Sequence, residues 1–151
     1  MPRTLRNRAF QAWWRIQRPM TLGVRGLVRD SGGGVLLVKH TYTPGWHFPG
    51  GGVEKGETAL LSLVRELEEE AGVRPIEPPV LLGVFANARN FPNDHVLLFE
   101  INAWTETPAT ARGEIAERRF FSLDALPADV TKGTQRRLDE IAGRAPRSEE
   151  W

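Results

Sequence analysis

The sequence predicts an α/β (α+β) sandwich, on three observations. Strand-like runs stand on both sides of one strongly helical segment, Thr58 to Ala71. That segment is ended by Gly72, the residue type that most readily takes the left-handed conformation closing a helix. No internal repeat divides the chain, and 151 residues suit one domain with a proper core but not two.

Each element has its own signal. Thr4 to Arg18 reads as a helix, with Thr4 as N-cap and Pro19 as stop. Thr21 to Arg29 and Val35 to Thr41 are strand-like runs joined by the turn Asp30-Ser31-Gly32-Gly33-Gly34. Tyr42 to Gly56 is dominated by Gly and Pro and predicts loop with at most short strand pieces. Thr58 caps the central helix. Val80 to Ala88 and His95 to Trp104 are further strands, and Glu117 to Phe121 a short one. Ser122 to Leu126 reads as one helical turn and Asp129 to Ala142 as the last helix. The expected organisation is a basic amphipathic helix over 1–19, a domain over 20–142 and a flexible polar tail over 143–151.

Composition narrows the function classes. The hydrophobic fraction of 40% and charged fraction of 26% are ordinary for a soluble globular protein. A net charge of +1 supplies no global field drawing the chain to nucleic acid or membrane, so neither is expected as a partner. The absence of cysteine removes disulfides, thiolate metal sites and thiol nucleophiles, and suits a reducing, cytoplasmic compartment. No apolar run approaches the roughly eighteen residues of a membrane span. The arginines before Asp30 (Arg3, Arg6, Arg8, Arg15, Arg18, Arg25 and Arg29) have no acid among them. An Arg-rich, acid-poor start fits a transit peptide or an anion-binding arm, but no continuous apolar stretch makes it a secretory signal. Its plainest reading is a short helix docked on the domain by Phe10, Trp13, Trp14 and Ile16.

Everything chemically specific lies between Pro49 and Val73, PGGGVEKGETALLSLVRELEEEAGV. On a wheel of about 100° per residue, Glu66, Glu69 and Glu70 fall in one sector, and Leu60, Leu63, Val64, Leu67 and Ala71 form a separate apolar stripe. Three convergent carboxylates repel one another, and a hard divalent cation with all-oxygen ligands removes that penalty. A solvated acidic face is the commoner meaning of such a run, but the residues upstream argue against it here. Gly50, Gly51 and Gly52 let the backbone approach the helix closely and offer a carbonyl to a metal and amides to a phosphate. Glu57 stands two turns before Arg65 on the same side of the helix, placed to clip the glycine loop to it. Arg65 lies about 100° round the helix from Glu66 and about 40° from Glu69, so it is expected to grip Glu57 and orient Glu69.

Gly51, Glu57, Arg65, Glu66, Leu67, Glu69, Glu70, Gly72 and Val73 match every defined position of the Nudix box, a coincidence on the order of one in a billion per window by residue usage. The chain thus resembles the Nudix hydrolases, with the strand order from about Met20 to Ala142 resembling the whole domain. The resemblance implies an α/β/α sandwich with a mixed sheet, and Mg²⁺, or Mn²⁺ in its place, held by Glu66, Glu69, Glu70 and the carbonyl of Gly50. It implies Glu57 and Arg65 as the structural ion pair. It also implies attack of an activated water on phosphorus in a small diphosphate substrate: a nucleotide sugar, a dinucleoside polyphosphate or a nucleoside triphosphate. The general base varies in the family; Glu69 and Glu114 are the candidates, Glu69 preferred, with Glu117 behind Glu114. A ligand-sensing module, or one associated with RNA or phospholipid through the basic helix, is the alternative reading.

Substrate markers outside the box are missing: Ala88 stands where the family's ADP-ribose enzymes carry proline, and Phe91 where a tyrosine marks dinucleoside polyphosphates. Trp46 and Phe48 are candidates for stacking on a base, and Arg89 and Phe91, with Asn87, Asn90 and Asp94, for capping the cleft from a strand-to-strand loop. His40 and His47 are candidate acid–base groups or phosphate contacts. A homodimer is among the assemblies the sequence allows.

Overall fold

A computed structural model describes residues 5–111 and 113–151 of the chain. The elements run α1 (Leu5–Gln17), β1 (Thr21–Val28), β2 (Val35–His40), β3 (Trp46–His47), β4 (Gly50–Gly52) and α2 (Ala59–Glu66). A π-helical turn (Leu67–Ala71) continues α2, followed by β5 (Val73–Pro75), β6 (Val80–Ala86), β7 (Asp94–Ile101), β8 (Trp104–Glu106), β9 (Ile115–Phe121) and α3 (Lys132–Ile141). The expected cap Thr4 lies outside the described residues.

β1 is the hinge of the architecture. It pairs in parallel with β7 and antiparallel with β4 in the sheet order β4-β1-β7-β6, so that sheet is mixed. A second sheet, β3-β2-β9, is antiparallel, and β5 and β8 form a separate small pair. One core, with Val24, Val28, Leu36, Val38, Phe99 and Ile101, receives Leu63, Leu67 and Ala71 from α2 and its π turn. The other, with Leu27, Leu37, Trp46, Phe48, Phe85 and Leu98, receives Leu138 from α3. Helices cover both sides, which makes the expected sandwich.

Packing of α2 onto β1 depends on Gly26. A Cβ there would meet Leu67 Cδ2 at 2.8 Å and Ile101 Cδ1 at 3.1 Å, so the missing side chain is the space Leu67 fills. Thr58 caps α2 by accepting from the Leu61 amide, and Gly72 closes the π turn at φ 63°.

Several expectations need correction. Leu60, assigned to the apolar stripe, is exposed. The run His95 to Trp104 breaks at Asn102 into β7 and β8. Ser122 to Leu126 is a hydrogen-bonded turn, not a helical one, and α3 begins only at Lys132, because Trp46 draws Asp129 and Thr131 into backbone hydrogen bonds. On α1, Phe10, Trp13 and Ile16 are 57%, 54% and 76% exposed and do not dock on the domain. Conversely, the tail 143–151 is not frayed. Glu150 bridges to Ala86, the Trp151 amide donates to the Ala86 carbonyl, and Arg137 Nη2 donates to the Glu150 carbonyl at 2.9 Å. The backbone of this polar tail is satisfied by arginines of α3, and its one large apolar residue, Trp151, seals the second core.

Candidate active site

The glycine loop is built against β1. Gly50 pairs with Arg25 across the β1–β4 ladder at φ 149°, and a Cβ on it would fall on the Val24 carbonyl oxygen. Only glycine fits there. At Gly51 a Cβ would meet Glu66 Oε1 at 2.5 Å, so the Glu66 carboxylate lies directly over the loop backbone.

A turn bonded i to i+5 advances less per residue than an α-helix, so residues three apart diverge while residues four apart stay on one side. Glu69 therefore swings away from Glu66, while Glu70 stays on the side of Glu66 and Glu69 on the side of Arg65. Glu66, Glu70 and Glu114 line one cleft of about 360 Å³ together with Arg25, His40, His47 and the Gly50–Gly52 backbone. Glu69 lines a different cleft, beside Arg65, Glu68 and Thr110, with its side chain 41% exposed. Among the described residues no three His, Cys, Asp or Glu side chains are grouped to hold a metal ion, and Glu69 stands at 3.4 Å from Arg65 rather than in the cleft with Glu66 and Glu70.

Glu70 is buried and doubly held, Oε1 by His40 Nε2 at 2.8 Å and Oε2 by the Gly50 amide at 3.0 Å. Burial raises the pKa of Glu66, and Arg65 opposes that shift. Arg65 binds Glu57 through Nε at 3.0 Å and Nη2 at 3.1 Å, the two-point grip expected. Its Nη1 reaches Glu66 at 2.8 Å and Glu69 at 3.4 Å. The long side chain thus touches the neighbour that the wheel set apart from it, so scaffold and site are not separate.

Arg25 was not among the sequence candidates. Its Nη1 donates to the carbonyls of Phe48 at 3.0 Å and Gly50 at 3.1 Å. Burial lowers its pKa, with Glu70 and Glu66 opposing. The signal was available: an arginine in the run LGVRGLV shares a strand face with Leu27, which is buried. His47 is pushed down to about 4, chiefly by burial and then by Arg25 and His40, so it is neutral at pH 7.

The four substrate candidates are not brought to this cleft. Trp46 and Phe48 are core residues, Trp46 edge-on to Phe121 at 4.9 Å and Phe48 against Trp151 at 6.3 Å. Neither face is free for a base. Arg89 pairs with Glu150 at 2.7 Å, and Phe91 is exposed on the β6–β7 turn. Neither lines the cleft.

The NUDIX domain family model matches residues 19–141. The chain belongs to the Nudix family. It is 44% identical over 55 residues to an RNA pyrophosphohydrolase of Halorhodospira halophila, covering 36% of this chain and 30% of that protein. It is 35% identical over 98 residues to an ADP-ribose pyrophosphatase of Methanocaldococcus jannaschii, covering 62% of this chain and 57% of that one. The chain thus spans only part of the length of both relatives. The crystal structure of a MutT NUDIX hydrolase from Burkholderia pseudomallei superposes with a TM-score of 0.69 at 27% identity, over 80% of this chain and 97% of that one.

Proposed function

We propose that the chain is a Mg²⁺-dependent pyrophosphohydrolase, with Mn²⁺ able to substitute, cleaving a phosphoanhydride bond in a nucleoside diphosphate joined to a second group. The observation that carries this is the meeting of Glu66 and Glu70 with Arg25 and the Gly50–Gly52 backbone in one cleft. The donors are oxygens, as a hard cation requires, and Mg²⁺ commonly uses only one or two carboxylates, leaving substrate phosphates and water to complete its shell. Two glutamates therefore fit it without Glu69. The burial that raises the Glu66 pKa marks negative charge that a cation would relieve. The Gly50 carbonyl already accepts from Arg25 but keeps a second lone pair.

When bound, such a cation lowers the pKa of a coordinated water and offsets phosphate charge. The chain's own residues do the rest. His40 and the Gly50 amide fix the Glu70 carboxylate, Arg65 steadies Glu66, and Arg25 places a guanidinium where the phosphate chain would lie. Glu114 is favoured over Glu69 as proton acceptor because it lines the cleft and Glu69 does not. The differing names of the relatives support the diphosphate class rather than one substrate.

The test is a panel of ADP-ribose, dinucleoside polyphosphates, nucleoside triphosphates, oxidised dGTP, NADH and coenzyme A, assayed with Mg²⁺ for monophosphate or pyrophosphate release. Turnover of at least one, lowered about a hundredfold or more by Glu70→Gln, is expected. No turnover of any, or a Glu70→Gln variant at normal rate under saturating Mg²⁺, overturns the reading.

A further inference from the structure

The helix α1 is unused by the site, and among the described residues no strand or other helix packs along it. Its surface is divided. Phe10, Trp13 and Ile16 stand within about 120° of arc, all exposed, while Arg8 and Arg15 stand on the opposite side, also exposed. Arg18 lies over the Trp14 ring at 4.1 Å, next to the apolar face. Phe10, Trp13 and Trp14 pack on one another with ring centroids 5.7–6.3 Å apart, so they form one continuous patch in which Phe10 and Trp13 are exposed and Trp14 is partly buried. Met20, just beyond the helix, is exposed as well.

We infer that α1 is a docking face for an anionic lipid bilayer, lying in the plane of the surface and holding the hydrolase domain against it. An interfacial helix needs a Trp/Phe/aliphatic face to enter the acyl boundary and a Lys/Arg-rich face for the headgroups, and α1 has both. Charge complementarity selects the lipid: from Met1 to Arg29 the chain carries arginines and no acid, a concentration that the net charge of +1 conceals. The aliphatic extension of the face selects a bilayer over RNA. A single strand binds where bases stack on aromatics interleaved with cations, whereas here exposed Ile16 and Met20 continue the aromatic face with apolar surface that stacking does not use, and Arg8 and Arg15 lie opposite. No helix of the described residues is long and apolar enough to cross a membrane, so the contact is superficial.

The full chain should be sedimented with phosphatidylcholine vesicles, with and without about 30% phosphatidylserine. Capture by the anionic vesicles only, weakened by raised salt, is expected. The pair Trp13→Ser/Ile16→Ser and the triple Arg8→Gln/Arg15→Gln/Arg18→Gln should each reduce partitioning roughly tenfold or more, with the melting temperature unchanged. Capture that survives either set of substitutions overturns the inference. So does retention of single-stranded RNA, or a dimer dissolved by the same substitutions, in place of vesicle binding. Failure to bind vesicles leaves the hydrolase reading intact, since none of these residues lines the cleft.

Discussion

His40 and Glu70 form a buried pair, Nε2 to Oε1 at 2.8 Å, that joins the end of β2 to the π turn and leaves the other Glu70 oxygen for the Gly50 amide. A carboxylate held from two directions cannot swing with its helix. The position of Glu70 in the cleft is therefore a property of three segments distant in sequence, not of the helix alone.

His40→Ala should destabilise the protein by roughly 1–3 kcal/mol, because Oε1 of a buried carboxylate loses its donor. His40→Gln, which restores an N–H at similar reach, should recover much of that loss. Urea unfolding of the three proteins is the measurement. Equal midpoints for His40→Ala and the parent would show that the pair contributes nothing to the fold.

Gly50→Ala and Gly51→Ala should behave differently although they are neighbours. At Gly50 the new Cβ meets the fixed Val24 backbone at φ 149°, at a cost on the order of 3 kcal/mol. At Gly51 it meets the Glu66 carboxylate, which can move, so the fold should survive while Glu66 is displaced and hydrolysis falls. Thermal unfolding beside an activity assay separates the two. A Gly51→Ala enzyme with unaltered rate would mean that Glu66 is not needed where it now lies.

The sequence made the box legible because each of its parts acts locally. Glu57 and Arg65 meet within two turns, and Thr58 and Gly72 mark the ends of the helical segment. What it hid came from distant contacts and from one change of helical period. No residue of LEEEA announces a π turn, so a constant 100° step put Glu69 in one sector with Glu66 and Glu70, although the same step gave Arg65 as its neighbour, where it stands at 3.4 Å. Trp46 and Phe48 looked available because their loop is rich in Gly and Pro. The covers that bury them, Phe121 and Trp151, lie far along the chain. The partners of Arg25, the carbonyls of Phe48 and Gly50, lie 23 and 25 residues along the chain and are brought to it by the pairing of β1 with β4, which no local pattern announces.

Glu57 should shape the acid limb of stability. Hydrogen bonds from Arg65 and from Ser62 Oγ at 2.5 Å hold its pKa down to about 2, against 4.5 ordinarily. A depressed carboxylate contributes stability that is full above about 4.5 and is lost as pH falls towards 2. Glu57→Gln removes that contribution while leaving every other carboxylate in place. The gap in urea midpoint between parent and variant should be constant at neutral pH and close progressively below about 4.5. A gap that stays open at the lowest pH would assign the loss to packing rather than to the ion pair.

Trp151 should matter to the glycine loop it never touches. Its indole packs on Phe48 at 6.3 Å and Phe85 at 5.9 Å, and its amide donates to the Ala86 carbonyl at 2.8 Å. Phe48 in turn offers its carbonyl to Arg25, which also holds the carbonyl of Gly50. Removing the indole uncovers one side of Phe48 and, through it, loosens the clamp on the loop. Trp151→Ala should cost about 2 kcal/mol, less than a fully buried tryptophan because this one is only partly buried. Trp151→Phe should cost less again, since a ring remains against Phe48. The discriminating readout is amide exchange over Phe48 to Gly52. Faster exchange there in Trp151→Ala but not in Trp151→Phe would show that the tail braces the site. If stability falls while exchange in the loop is unchanged, Trp151 merely closes the core beneath α3, and the loop is held by Arg25 and Glu70 alone.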